Sequence, residues 1–178
     1  MRRSQDQGGF TMIEMLMVLL VTGILMAIAV PSIQRHIARN DLRAAAREVA
    51  SLLRSSRSAA LNEQVPRYVL FTPPRTLREY RFDPVSGQWQ AERNDQPLEP
   101  SVSFTSAGVT FPSLTDTPAT GVSVPAAGTP AGAKAAYFDT RGRWPSGQSG
   151  PFTIQLTGGF GLTRSLTVYG QTGAVSGI

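Results

Sequence analysis

Glu14 is the only charged residue between Phe10 and Ile33. A carboxylate inside an apolar span costs on the order of 2–3 kcal/mol or more, and such residues usually have a partner. Two readings follow. Glu14 sits near an interface and reaches headgroup water, or it pairs with a positive charge supplied by another chain. Little else in the chain points to chemistry. Cysteine is absent, which excludes disulfides, thiolate zinc sites and cysteine nucleophiles. His36 is the only histidine and lies just beyond the apolar run, where it reads as an interface residue rather than a general base. A Ser-His-Asp site in the remainder of the chain therefore lacks its base. Asp83, Glu92, Asp95, Glu99, Asp116 and Asp139 leave a paired-carboxylate hydrolase open in principle, but most stand at turn positions, where Asp makes local hydrogen bonds. No metal-ligand spacing or phosphate loop is present, so no metal, cofactor or enzymatic activity is expected.

The positive charge is nearly all arginine. Lys134 is the only lysine, and the formal charge is +5. Arg35, Arg39, Arg43, Arg47, Arg54 and Arg57 crowd one stretch just after the apolar block. A solvated helix face is the simplest reading. Contact with an acidic partner protein, with anionic lipid or with nucleic acid are the alternatives.

These residues need an element to carry them. Met15 to Val30 holds no charge, and Phe10 to Ile33 is long enough to cross a bilayer core, which takes about 20 apolar residues for roughly 30 Å. A cleavable signal peptide fits poorly, because polar residues separate Arg2 and Arg3 from a long apolar run, although Ala27 and Ala29 form an A-x-A. Arg2 and Arg3 place the N-terminus in the cytoplasm by the positive-inside tendency. Pro31 removes one helical hydrogen bond and is expected to bend the helix without ending it. Beyond it Leu42, Ala45, Val49, Leu52, Leu53, Ser56 and Ala60 recur at three- and four-residue steps, one stripe of an amphipathic helix that stops before Pro66. A continuous helix from Phe10 to about Leu61 would be about 78 Å long at 1.5 Å per residue.

The segment Gly9-Phe10-Thr11-Met12-Ile13-Glu14 resembles the processing site of type IV prepilins, with a short basic leader before it and a long apolar run after it. The resemblance implies cleavage by a prepilin peptidase between Gly9 and Phe10, with methylation of the new Phe10 amine. It implies that Glu14, fifth after the cut, pairs with the N-terminal amine of a neighbouring subunit. That role supplies the partner its charge requires. Pro31 matches the helix-kinking proline of many pilins.

The rest reads as β structure. Strands are expected at Arg67–Thr72, Leu77–Asp83, around Trp89, Ala135–Asp139, Phe152–Leu156, Leu162–Tyr169 and near Ala174-Val175, with weaker candidates at Val102–Phe104 and Val109–Phe111. Asp83 to Gly87 is a turn, and Arg164 shares a face with Leu162, Leu166 and Val168, which suggests an edge or an end of the sheet. Pro112–Lys134, rich in Ala, Gly, Thr and Pro, has little to bury and reads as a mobile surface insertion or a partner-binding loop.

Arg47 to Leu53 with Arg57 to Leu61, and the series Phe138-Asp139, Gly142-Arg143, Phe152 to Ile154, Leu166 to Val168 and Thr172-Gly173, are similar to the minor pseudopilin H of type II secretion and to FimT-like minor pilins. That resemblance implies an α+β fold: a long N-terminal helix, membrane-spanning in its first half, packed on a C-terminal antiparallel sheet or sandwich. The expected organisation is a leader at 1–9, a transmembrane and filament-core helix at 10–33, its amphipathic continuation at 34–64 and a β-rich domain at 65–178. The implied partners are the prepilin peptidase, other pilin or pseudopilin subunits and the inner membrane, with the C-terminal domain periplasmic. The implied role is to start or stabilise a type II secretion pseudopilus or a type IV pilus. Some FimT-like proteins instead bind DNA through a basic C-terminal tail, but Gly173-Ala174-Val175-Ser176 lacks its arginines. Arg141, Arg143 and Trp144 offer charge and one stacking ring for that alternative.

Overall fold

The computed structural model describes residues 10–93, 95–111, 133–143, 151–170, 172 and 174–177. Helix α1 covers Met12–Glu63 and continues through Pro31. The strands follow: β1 Arg67–Thr72, β2 Thr76–Asp83, β3 Gln88–Ala91, β4 Gln96–Pro97, β5 Lys134–Phe138, β6 Pro151–Thr157, β7 Thr163–Tyr169 and β8 Ala174–Ser176. The chain divides into two compact units between Ile37 and Ala38.

The first unit holds the apolar part of α1. Phe10 to Ile37 is exposed throughout, including Leu16, Leu19, Leu20, Ile24, Leu25 and Ile28. A helix apolar on every side does not stay in water; it belongs in lipid or among other helices. By length and composition it can cross a membrane.

The second unit holds the core. All seven residues of the expected stripe are buried, from Leu42 to Ala60, and Ala38, Ala46 and Ala50 join them. The alanines widen the stripe at little bulk. Gln64, at φ 54, takes the left-handed conformation that commonly ends a helix, and Pro66 follows.

The first sheet runs β3-β2-β1-β5, with β4 also paired to β2. The second runs β6-β7-β8. Every pairing is antiparallel. In β6, Phe152, Ile154 and Leu156 are buried while Thr153 and Gln155 are not, the alternation of a half-buried strand. β1 behaves differently: Tyr68, Val69, Leu70 and Phe71 are all buried, so both of its faces are covered. On one face Tyr68 stacks on Tyr80 at 4.6 Å and meets Trp89 edge-on at 4.7 Å. On the other, Phe71 stacks on Phe111 and Phe111 on Phe152, joining the two sheets through one aromatic row.

Val102–Phe104 and Val109–Phe111 are not strands. Each makes one isolated bridge to β6, Ser103 to Thr157 and Val109 to Ile154. Their apolar pattern marks anchors: Val102, Phe104, Val109 and Phe111 are buried, but a turn at Thr105 to Gly108 interrupts the ladder. β4, which contains Pro97, was not legible in the sequence. Arg164 is half-buried at one end of β7, beyond the β8 pairing, and its Nε donates to the Gly177 carbonyl at 3.3 Å. Residues 112–132 of the expected insertion lie outside the described residues; Ala133 is buried and Lys134 already opens β5.

Candidate functional site

Glu14 lies in the first turn of α1 and is exposed. Thr11 stands just before the helix. Its backbone N–H and its hydroxyl both donate to Glu14 Oε2 at 2.9 Å, and the Glu14 N–H donates to Thr11 Oγ1 at 3.3 Å. This is a reciprocal capping box, Thr-x-x-Glu, at a helix start. Both Thr11 donors engage Oε2, which holds the carboxylate at the helix start. The signal was present in the sequence, since Thr11 and Glu14 have the required spacing. Phe10 is 81% exposed. Gly9 lies outside the described residues.

Two of the three nucleic-acid candidates lie among the described residues. Arg141 and Arg143 are exposed on a turn after β5. Asp139 Oδ1 accepts the backbone N–H of both at 2.8 Å, so a carboxylate sits within the same turn. Arg57 Nε donates to the Gly142 carbonyl at 3.0 Å, tying the turn to α1. Trp144 lies outside the described residues, and Ala174–Ser176 of the C-terminal tail is strand β8.

Carboxylates do not cluster as metal ligands among the described residues. Asp83 caps its own turn: Ser86 Oγ donates at 2.7 Å and the Val85 N–H at 3.0 Å, and these bonds hold its carboxyl below the usual range. A cleft of about 390 Å³ is lined by Pro66, Phe82, Pro84, Trp89, Tyr137 and Asp139 among others. Its one carboxylate is Asp139, whose Oδ1 is already engaged by the turn.

The charged centre of the domain is structural and was missed in the sequence. Arg67 and Glu79 are both 3% exposed. Arg67 Nη1 donates to Glu79 Oε1 at 3.1 Å, and Nη2 donates to Glu63 at 2.8 and 2.9 Å. Ser56 Oγ of the helix donates to Glu79 Oε1 at 2.7 Å. Burial works against the Arg67 charge, but the bonds to Glu63 and Glu79 outweigh it and hold its pKa up. One guanidinium thus links the end of α1 to β1 and β2.

The comparisons with known proteins agree with this architecture. Residues 4–30 match the prokaryotic N-terminal methylation motif, and residues 45–173 match the family described as type II transport protein GspH. Two fimbrial proteins of Pseudomonas aeruginosa are 44% identical over 55 residues, which is 31% of this chain and 36% of each relative. The chain therefore spans only about a third of those relatives. Among solved structures, the minor pseudopilin EpsH from the type 2 secretion system of Vibrio cholerae superposes with a TM-score of 0.52 at 13% identity, covering 78% of this chain and 96% of that one. At that identity the likeness shows a shared fold: a long helix on antiparallel sheets. The GspH match covers well over half of the chain, and together with the methylation motif it establishes that this protein belongs to the GspH family of type II transport proteins.

Proposed function

We propose that this subunit is made with a leader, cut by a prepilin peptidase between Gly9 and Phe10, methylated on the Phe10 amine, and held in the inner membrane until it enters a pseudopilus or pilus. The observation that carries this reading is the head of α1: its apolar part, exposed throughout as far as Ile37, opens on a first turn whose carboxylate, Glu14, is capped by Thr11. A buried carboxylate in a filament core needs a cation, and the amine of a neighbouring subunit is the one that the cut would create. Residues 10–33 then serve as membrane anchor and later as filament core, with Pro31 setting a bend. Residues 34–64 continue the helix, and the domain at 65–178 faces the periplasm and offers its surface to other subunits. In this role the protein helps to start or stabilise assembly.

Charge counting alone does not set this orientation, because Arg35, Arg39, Arg43 and Arg47 outnumber Arg2 and Arg3 on the other flank. Long domains are translocated largely regardless of flanking charge. The proposed orientation therefore rests on the likeness of residues 4–30 to the N-terminal methylation motif and on translocation of the long C-terminal domain.

Glu14→Leu tests the pairing. The variant is expected to be cut normally, as judged by the mass of the membrane-extracted chain, and to lose most of its incorporation into sheared filaments. Normal incorporation would refute charge pairing. Deleting the gene, with a complemented control, separates the machines: loss of specific secreted proteins places the subunit in a type II pseudopilus, and intact secretion places it in a type IV pilus.

A further inference from the structure

Arginines crowd one flank of α1 just past its apolar span. At about 100° per residue, Arg35, Arg39 and Arg43 fall within an arc of about 80°. All three are exposed, and their side chains form no ion pair or hydrogen bond among the described residues. The later arginines of the helix are engaged. Arg47 Nε donates to the Arg43 carbonyl at 3.3 Å, Arg54 to the Val175 carbonyl at 3.2 Å and Arg57 to the Gly142 carbonyl at 3.0 Å. In the orientation proposed above, Arg35, Arg39 and Arg43 lie on the exported side of the span. That runs against the positive-inside tendency, so a compensating partner is expected there.

The acidic residues of the same stretch do not supply it. Asp41 and Glu48 stand about 160–180° round the helix from the middle of the arginine arc. Ser101 Oγ donates to Asp41 Oδ2 at 2.9 Å, and the loop after β4 also brings Glu99 to that opposite flank. Burial first, and then the neighbouring Glu99 charge, push the Glu48 carboxyl above its usual range. The arginine flank therefore carries positive charge with no carboxylate paired to it among the described residues.

Depth decides what can meet these charges. At 1.5 Å per residue along α1, Arg35, Arg39 and Arg43 lie no more than about 3, 9 and 15 Å past Ile33, and Arg47 about 21 Å. The headgroup layer extends about 5–7 Å beyond the hydrocarbon core. Charges are screened over about 8 Å at physiological salt. Arg35 and Arg39 thus come within or next to the headgroups, Arg43 within one screening length of them, and Arg47 outside it. A guanidinium matches a lipid phosphate in a two-pronged hydrogen-bonded pair. Resting on the membrane anchoring proposed above, we propose that Arg35, Arg39 and Arg43 bind the headgroups of anionic phospholipids. The subunit is then held at the membrane surface as well as in its core. The contact is lost when the subunit leaves the bilayer, so it acts on the stored subunit rather than the assembled one.

The test reconstitutes the full chain into phosphatidylcholine bilayers doped with spin-labelled phosphatidylglycerol or spin-labelled phosphatidylcholine. Electron paramagnetic resonance reads the fraction of each label immobilised by the protein. Wild type is expected to prefer phosphatidylglycerol by about fivefold, the scale of one arginine at a charged membrane surface. The combined variant Arg35→Gln, Arg39→Gln and Arg43→Gln is expected to lose most of that preference. The matching lysine variant is expected to keep part of it, because charge remains and two-pronged pairing does not. Arg47→Gln is expected to keep nearly all of it. Arg2 and Arg3 are present in every variant, so differences between variants belong to α1. If the triple variant loses helix content by circular dichroism, Arg39→Gln alone repeats the comparison with a smaller loss. Wild type without a preference overturns the proposal, as does a glutamine variant that keeps the wild-type preference. An equal loss in Arg47→Gln points to long-range attraction rather than headgroup contact and also overturns it. A chain that alkaline carbonate extracts from the bilayer overturns the anchor reading together with this one. A chain that resists extraction but ignores lipid charge overturns this one alone.

Discussion

At the scale of single residues, Arg67 and Glu79 govern the stability of the domain. Each is buried, so removing one partner leaves the other charge without compensation in a poorly solvated place. Such losses run to about 3–5 kcal/mol, whereas replacing both partners by apolar residues of similar size is often neutral. Arg67→Met is accordingly expected to lower the urea midpoint by that order of stability, and Arg67→Met with Glu79→Leu to recover much of it. Glu63 and Ser56 also bond to the pair, so the recovery will be partial. A loss in the double variant equal to the sum of the Arg67→Met and Glu79→Leu losses would show that the pair has no coupling. Glu14 is a different kind of residue: it is exposed in the isolated chain, and its capping box with Thr11 stabilises a helix start rather than a core.

At the scale of elements, the junction between α1 and the turn after β5 is set by a glycine. Gly142 has φ 64, and a Cβ built there would lie 2.7 Å from Leu61 Cγ. Both the left-handed backbone and the close approach exclude a larger residue. Gly142→Ala is expected to destabilise the domain by about 1–3 kcal/mol, read as a lower melting temperature. Adding Leu61→Ala should remove the clash but not the backbone strain, so the double variant tests which cost dominates. The same turn carries Arg141 and Arg143, and its tie to Arg57 explains their placement without any nucleic acid.

At the scale of the whole molecule, the two units differ in what surrounds them. No described residue before Ala38 is buried, while the second unit contains the entire hydrophobic cluster. A fragment of residues 38–178 is therefore expected to stay soluble and to unfold in one cooperative transition, while the full chain needs detergent or lipid. Aggregation of that fragment, or a broad non-cooperative melt, would show that the apolar half of α1 is required for the core.

The sequence alone determined the ends of this chain best. Hydrophobic period and charge are local properties, so the apolar span, the amphipathic stripe from Leu42 to Ala60, and strands such as β1 and β6 were legible directly. The resemblance at Gly9 to Glu14 and along the later strands added the family. What the tertiary structure alone decided concerns partners far apart in sequence. Arg67 and Glu79 read as ordinary strand charges until the end of α1 closes over them, 23 residues before Glu79 at Ser56. Val102–Phe104 and Val109–Phe111 read as weak strands, yet each makes only one isolated bridge to β6. The positive flank of α1 was visible as a run of arginines, but its unpaired state was not, because Glu99 lies beside Glu48 on the opposite flank only after the loop folds back. Burial and pairing depend on which surfaces meet, and that is a property of the folded chain rather than of any stretch within it.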